Sequence, residues 1–226
     1  MALSRNFGLR AAVAALAAAA VLAGCSSSGQ GVANDFSRIG QVLGQKSRAA
    51  PRTGEVALPT RAALDAAPAP LIAMVVESPG AGALLGRIAV NRDVATYATA
   101  DGVTVSLRDG VLVQTRGLGS DLMSAGVPTA GRLAAGGAHN RVHHYAGPED
   151  RIVPRPFDCR TETAGGERLT IAGLSFDTRI VAERCSGADG ESFENRFWFD
   201  NRGKIRQSRQ WVGQGVGFVR LQDLAR

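Results

Sequence analysis

Residues 104–115, TVSLRDGVLVQT, hold two short alternating runs separated by Asp109-Gly110. Alternation at period two turns one face of each run toward a core and the other toward water. Asp-Gly is a pair that readily takes the positive φ angles of a two-residue hairpin turn. Strands joined so tightly pair antiparallel, because a parallel pairing needs a crossover of a dozen or more residues. The same grammar recurs: LIAMVVE, LLGRIAV and VATYAT lie upstream, with a turn at Asp101-Gly102. FDCRTET, RLTIA, SFDTRIVAERC, SFENRFWFD, KIRQSRQWV and GFVRLQDL follow downstream. No stretch between them has a helical period long enough to serve as a crossover. The pattern predicts an all-β fold of mainly antiparallel sheets, sandwich-like or coiled, with a few short helices. Those helices are expected over 34–45, over 60–67 ahead of Pro68 and Pro70, and over 120–125. Gly165-Gly166 reads as a turn and the Gly- and Ala-rich 126–140 as a loop. Gly80, Gly82 and Gly86 imitate a dinucleotide-binding loop, but the β-branched segment after them makes a glycine-rich hairpin turn the better reading.

The N-terminus has its own logic. Arg5 and Arg10 precede an uncharged apolar stretch over 11–22, the charge and length of an export leader. That stretch is short of the roughly 20 apolar residues that span a bilayer. Leu22-Ala23-Gly24-Cys25 resembles a bacterial lipobox, in which the Cys25 thiol receives the lipid. The reading divides the chain into a lipoprotein signal peptide over 1–24, a lipidated flexible tether over 25–33, and a single β-rich domain over 34–226. Ser26, where a retention signal would place Asp, points to the outer membrane, with the domain facing the periplasm. The formal charge of +6 falls to +4 when Arg5 and Arg10 leave with the leader. This is not the basic excess of a nucleic-acid binder.

With Cys25 consumed by lipid, Cys159 and Cys185 remain, and in an oxidising compartment two cysteines imply one disulfide. The remaining chemistry-bearing residues assemble into no convincing centre. His139, His143 and His144 sit in HNRVHHYAGPED (139–150), read as a surface loop or edge strand; Gly136, Gly137 and Asn140 disfavour the helix on which His139 and His143 would share a metal. Asp158, Glu162 and Glu183 offer carboxylates for a glycosidase-like pair, but alternating charges on strands more often coat a solvated face. No catalytic residue, metal site or cofactor is assigned. The β-hairpin FWFDNRGKIRQSRQW gathers Arg196, Arg202, Lys204 and Arg206 beside aromatic residues. It is the candidate surface for an anionic glycan or a protein partner, because guanidinium groups pair with carboxylates. Replacing Arg196, Arg202 and Arg206 by Glu is expected to impair polysaccharide export or glycan binding and leave the fold intact.

Arg108-Asp109-Gly110, Thr115-Arg116-Gly117-Leu118 and Asp121-Leu122, followed by Asn195 to Trp198 and Ser208-Arg209-Gln210-Trp211, resemble the YjbF/GfcB family of lipoproteins, encoded with group 4 capsule and exopolysaccharide genes. The resemblance spans most of the mature chain. It implies an all-β fold and an accessory role, without enzymatic activity, in making or exporting extracellular polysaccharide. Its implied partners are the membrane, through the lipid, and the secretion machinery or an anionic glycan. A periplasmic carbohydrate-active enzyme and an envelope structural lipoprotein are the alternatives.

Overall fold

The computed structural model describes residues 55–226. The expected leader, the tether and the 34–45 helix lie outside the described residues. Twelve strands form one sheet: β1 (Leu71–Val76), β2 (Ala81–Asn91), β3 (Val94–Ala98), β4 (Thr104–Arg108), β5 (Val111–Arg116), β6 (Leu122–Gly126), β7 (Gly137–Ala146), β8 (Ile152–Ile171), β9 (Leu174–Gly187), β10 (Ser192–Asp200), β11 (Ile205–Gly213) and β12 (Gly217–Asp223). Their order is β5-β4-β3-β2-β1-β12-β11-β10-β9-β8-β7-β6, with antiparallel neighbours throughout. Every sequential pair is a hairpin except β5–β6, and β1 pairs with β12. The meander therefore curls into a nearly closed, barrel-like sheet.

The remaining seam is β5 against β6, and side chains close it. Thr115 Oγ1 donates to Asp121 at 2.9 Å and accepts from the Leu122 amide at 3.0 Å. Gln114 Nε2 donates to the Met123 carbonyl at 3.1 Å. The Asp121 carboxylate also accepts from the Gly117 and Leu118 amides. The segment TRGLGSDL thus works as a clasp, satisfying backbone groups that a free sheet edge would leave open. It leads into β6, not into the helix expected over 120–125. Leu122, with no exposed surface, is held by pairing with β7, and that tertiary pairing decides the local conformation.

Three further expectations are corrected. Within 126–140 lies α2 (Ala130–Ala135), where the Thr129 side chain accepts from the Arg132 amide and Leu133 is buried. Alanine and an N-cap threonine outweigh the neighbouring glycines. Residues 137–146 are neither loop nor edge, since β7 lies between β6 and β8. Gly165-Gly166 does not turn the chain. It bends the single long strand β8 at a bulge between Thr163 and Gly165, with Gly165 at φ 128. The actual hairpin turn is at Ala172-Gly173. Asp109 and Gly110 take φ of 49 and 86 as expected, and α1 (Arg61–Asp65) forms behind the cap of Thr60.

The core follows from the alternation. Ile72, Met74, Leu85, Leu112, Val212 and Val219 meet inside the sheet from five strands. Leu71 and Ala73 point the other way and are covered by Leu64 of α1 together with Leu169, Ile171 and Trp198. β1 is therefore buried on both faces, which explains its unbroken apolar run. Phe197 and Phe199 pack with Leu133 of α2 on the face opposite Trp198. Cys159 and Cys185 stand directly opposite each other on β8 and β9 and form a disulfide. Closing a loop of this length restricts the unfolded chain by about 3.5 kcal/mol in the chain-entropy account. The outer face of β8–β10 carries Arg184 between Glu162 and Glu194, a charged surface that belongs in water.

Candidate functional site

The basic hairpin folds around Asp200, the last residue of β10. Its Oδ1 accepts from the Arg202 and Lys204 amides, both at 2.9 Å, and its Oδ2 from Arg206 Nε at 2.7 Å. Burial would raise the Asp200 carboxyl, but the Lys204 and Arg202 amides and Arg206 together hold it below its ordinary value. Arg206 is the extra residue of a bulge: Trp198 pairs with Gln207 and Phe199 with Ile205. Its side chain is 4% exposed, lies 4.2 Å over the Phe176 ring and donates to the Ala225 carbonyl. Arg206 is therefore not part of an exposed surface, which corrects the sequence-based expectation. Arg196 stays on the outside, paired with Glu194 at 2.7 Å. Lys204 pairs with Asp223 at 2.5 Å, and Arg202 is exposed at the turn.

Arg202 and Lys204 do share a site, formed with residues the sequence did not single out. A cavity of about 630 Å³ opens at the end of the barrel where the β2–β3, β4–β5 and β10–β11 turns meet the last residues of β12. Arg87, Arg92 and Arg202 line it, as do Lys204 and Arg206; its acids are Asp93, Asp109 and Asp223. Asp93 is engaged by Arg108 at 2.8 Å, and Asp223 by Lys204. The floor is Ile72, Leu107 and Leu221 beside the Tyr97 ring. Burial, then Asp223, raise the Tyr97 hydroxyl above its ordinary value, against the pull of Arg87. Arg87 and Arg92 were missed because they lie in an ordinary alternating hairpin, and only the curl of the sheet brings them to Arg202. Arg196 does not line the cavity.

The second polar cluster is inside. Glu183, with no exposed surface, accepts from His139 Nε2 at 2.7 Å and from Asn195 Nδ2 at 2.7 Å, and pairs with Arg141 at 2.9 Å. Burial would raise the Glu183 carboxyl, but Arg141, His139 and Asn195 outweigh it and hold the group below its ordinary value. Asn195 also accepts from the Trp211 amide, bridging β10 to β11. His139, Cys159 and Glu183 bring possible metal-binding atoms within 4.8 Å of one another, but the Cys159 sulfur is spent in the disulfide and the other two groups are bound to each other. Asp158 and Glu162 lie on the exposed face of β8, Asp158 bonded to Asn140 and Glu162 to Arg184, whereas Glu183 faces inward. The three carboxylates flank no common cleft.

His143 is fully buried between Phe157 and Phe193, its Nδ1 3.1 Å from the Tyr145 hydroxyl. Burial, then the nearby Arg141, lowers its pKa to about 3 from 6.5, with Glu183 opposing and His144 adding to the fall. Between those values the unfolded chain binds the proton and the folded chain does not, so stability is full above pH 6.5 and is lost as the pH falls. The expected loss is about 1.4 kcal/mol per pH unit, or roughly 2–3 kcal/mol by pH 4.5. Urea unfolding between pH 7 and 5 should show this slope in the wild type and a flatter one in His143→Phe. Equal slopes in the two proteins would refute the assignment.

Fold and site together define a β-meander curled into a barrel, with a basic cavity at one end and a structural ion network inside. Among the described residues, no helix is long and apolar enough to cross a membrane. The family model described as "Group 4 capsule polysaccharide lipoprotein gfcB, YjbF" matches residues 39–224, and the chain belongs to this family. A crystal structure of the hypothetical lipoprotein YmcC from Escherichia coli (K12) has the same fold, with a TM-score of 0.65 at 20% identity, over 74% of this chain and 89% of that one. No curated protein matches.

Proposed function

We propose that this protein is an outer-membrane lipoprotein, anchored through Cys25 and facing the periplasm, that assists production or export of a capsule or exopolysaccharide without catalysing a reaction. Membership of a family of capsule polysaccharide lipoproteins carries the reading. Leu22-Ala23-Gly24-Cys25-Ser26 supports the anchor and its destination. The separation of Asp158 and Glu162 from Glu183 by the sheet itself supports a non-enzymatic role, since glycosidic cleavage needs two carboxyl groups facing one bond. The fate of a chain without the Cys25 thiol tests the anchor. The wild-type chain should sediment with outer membrane and the Cys25→Ala chain should collect as soluble or unprocessed protein. Normal processing and outer-membrane recovery of Cys25→Ala would end the anchoring claim. Shortening of the host's own polymer by the purified wild-type chain, read by size-exclusion chromatography, would replace the accessory role with the enzyme.

A further inference from the structure

The cavity at the barrel end has the chemistry of a specific ligand site, and we propose that it binds a carboxylated saccharide unit, such as a uronic acid within a polymer. The inference rests on the accessory reading above and adds to it a substrate class and a place. Its volume of about 630 Å³ is that of a small-ligand site, large enough for more than a single anion.

Charge selects the sign of the ligand. Lys204 and Arg206 are neutralised by Asp223 and Asp200, and Asp93 by Arg108. What remains among the described residues is three guanidinium groups, Arg87, Arg92 and Arg202, against the single carboxylate of Asp109. Arginine presents a planar fork that meets a carboxylate through two parallel hydrogen bonds.

The floor selects for more than charge. Tyr97 and the side chains of Ile72, Leu107 and Leu221 give an apolar bed beside the cations, suited to the C–H face of a pyranose ring. A simple anion would use the arginines and leave the apolar bed idle.

The test is calorimetric titration of the full lipidated chain, in neutral detergent at low salt, with trigalacturonate, maltotriose and inorganic phosphate. Trigalacturonate should bind, maltotriose should not, and phosphate should bind at least about tenfold more weakly. Arg87→Ala/Arg202→Ala should weaken trigalacturonate by about tenfold or more, because the variant loses charge-assisted hydrogen bonds to the carboxylates. Arg196→Ala, outside the cavity, should change nothing, and near-UV circular dichroism should report an unaltered fold in all three chains. The proposal is overturned by equal binding of maltotriose, by equal binding of phosphate, by an equal loss in Arg196→Ala, or by no binding of trigalacturonate. Polymer export in cells lacking the chain separates the two claims. Reduced export there, without any trigalacturonate binding by the wild-type chain, keeps the accessory reading and removes this site. Binding that the double variant loses, with export unchanged when the whole chain is absent, keeps the site and removes the accessory reading.

Discussion

Replacing Glu183 by Ala is expected to destabilise the protein by about 3–5 kcal/mol, the cost of leaving a buried charge without its partner. The orphaned charge is Arg141, whose side chain is 1% exposed. Burial already lowers the Arg141 pKa, and Glu183 is the main group opposing that fall. The same change removes the acceptor for His139 Nε2 and Asn195 Nδ2. Asn195 also ties β10 to the Trp211 amide, so loosening it disturbs two strands. The double change Arg141→Met/Glu183→Met should recover most of the loss, because an apolar pair of similar volume carries no desolvation cost. Urea unfolding followed by circular dichroism measures both. A loss under about 1 kcal/mol in Glu183→Ala, or a double variant no better than the single, would contradict a structural role for the network.

Arg206→Glu should cost a further large amount, roughly 3–5 kcal/mol, by setting a second buried carboxylate against Asp200. The substitution also removes the cation from the Phe176 ring and the donor to the Ala225 carbonyl, which fastens the C-terminal residues to the β10–β11 hairpin. Arg196→Glu and Arg202→Glu lie on exposed positions and should each stay within about 0.5 kcal/mol of the wild type. The triple replacement expected from the sequence to spare the fold should therefore destabilise it, through Arg206 alone. Thermal unfolding of the three single variants decides the matter; an Arg206→Glu midpoint equal to that of Arg202→Glu would mean that the buried ion pair contributes nothing.

Local rules carried most of the fold. Asp109-Gly110 marks its hairpin because those residues suit positive φ, and Phe197 and Phe199 part from Trp198 because strand side chains alternate. What local rules missed was decided at a distance. Leu122 enters a strand because β7 is there to pair with it, although SDLMSA alone favours a helical turn. Gly165 and Gly166 look like a turn but bend one continuous strand, since the partner β9 runs on past them. At the site, Arg202 and Lys204 were legible as a basic hairpin. Arg206 sits at a one-residue bulge, buried against Asp200 and the Phe176 ring, and nothing in the sequence announces that bulge. Arg87, Arg92 and Tyr97 join the cavity only once the twelve strands curl so that alternate turns gather at one end.

The most direct test of the proposed role is to delete this chain from its host, restore it in trans, and measure acidic polymer at the cell surface and in the periplasm. Deletion should deplete the surface polymer, and the wild-type chain should restore it. Surface polymer of unchanged amount and length in the deletion strain would contradict the account.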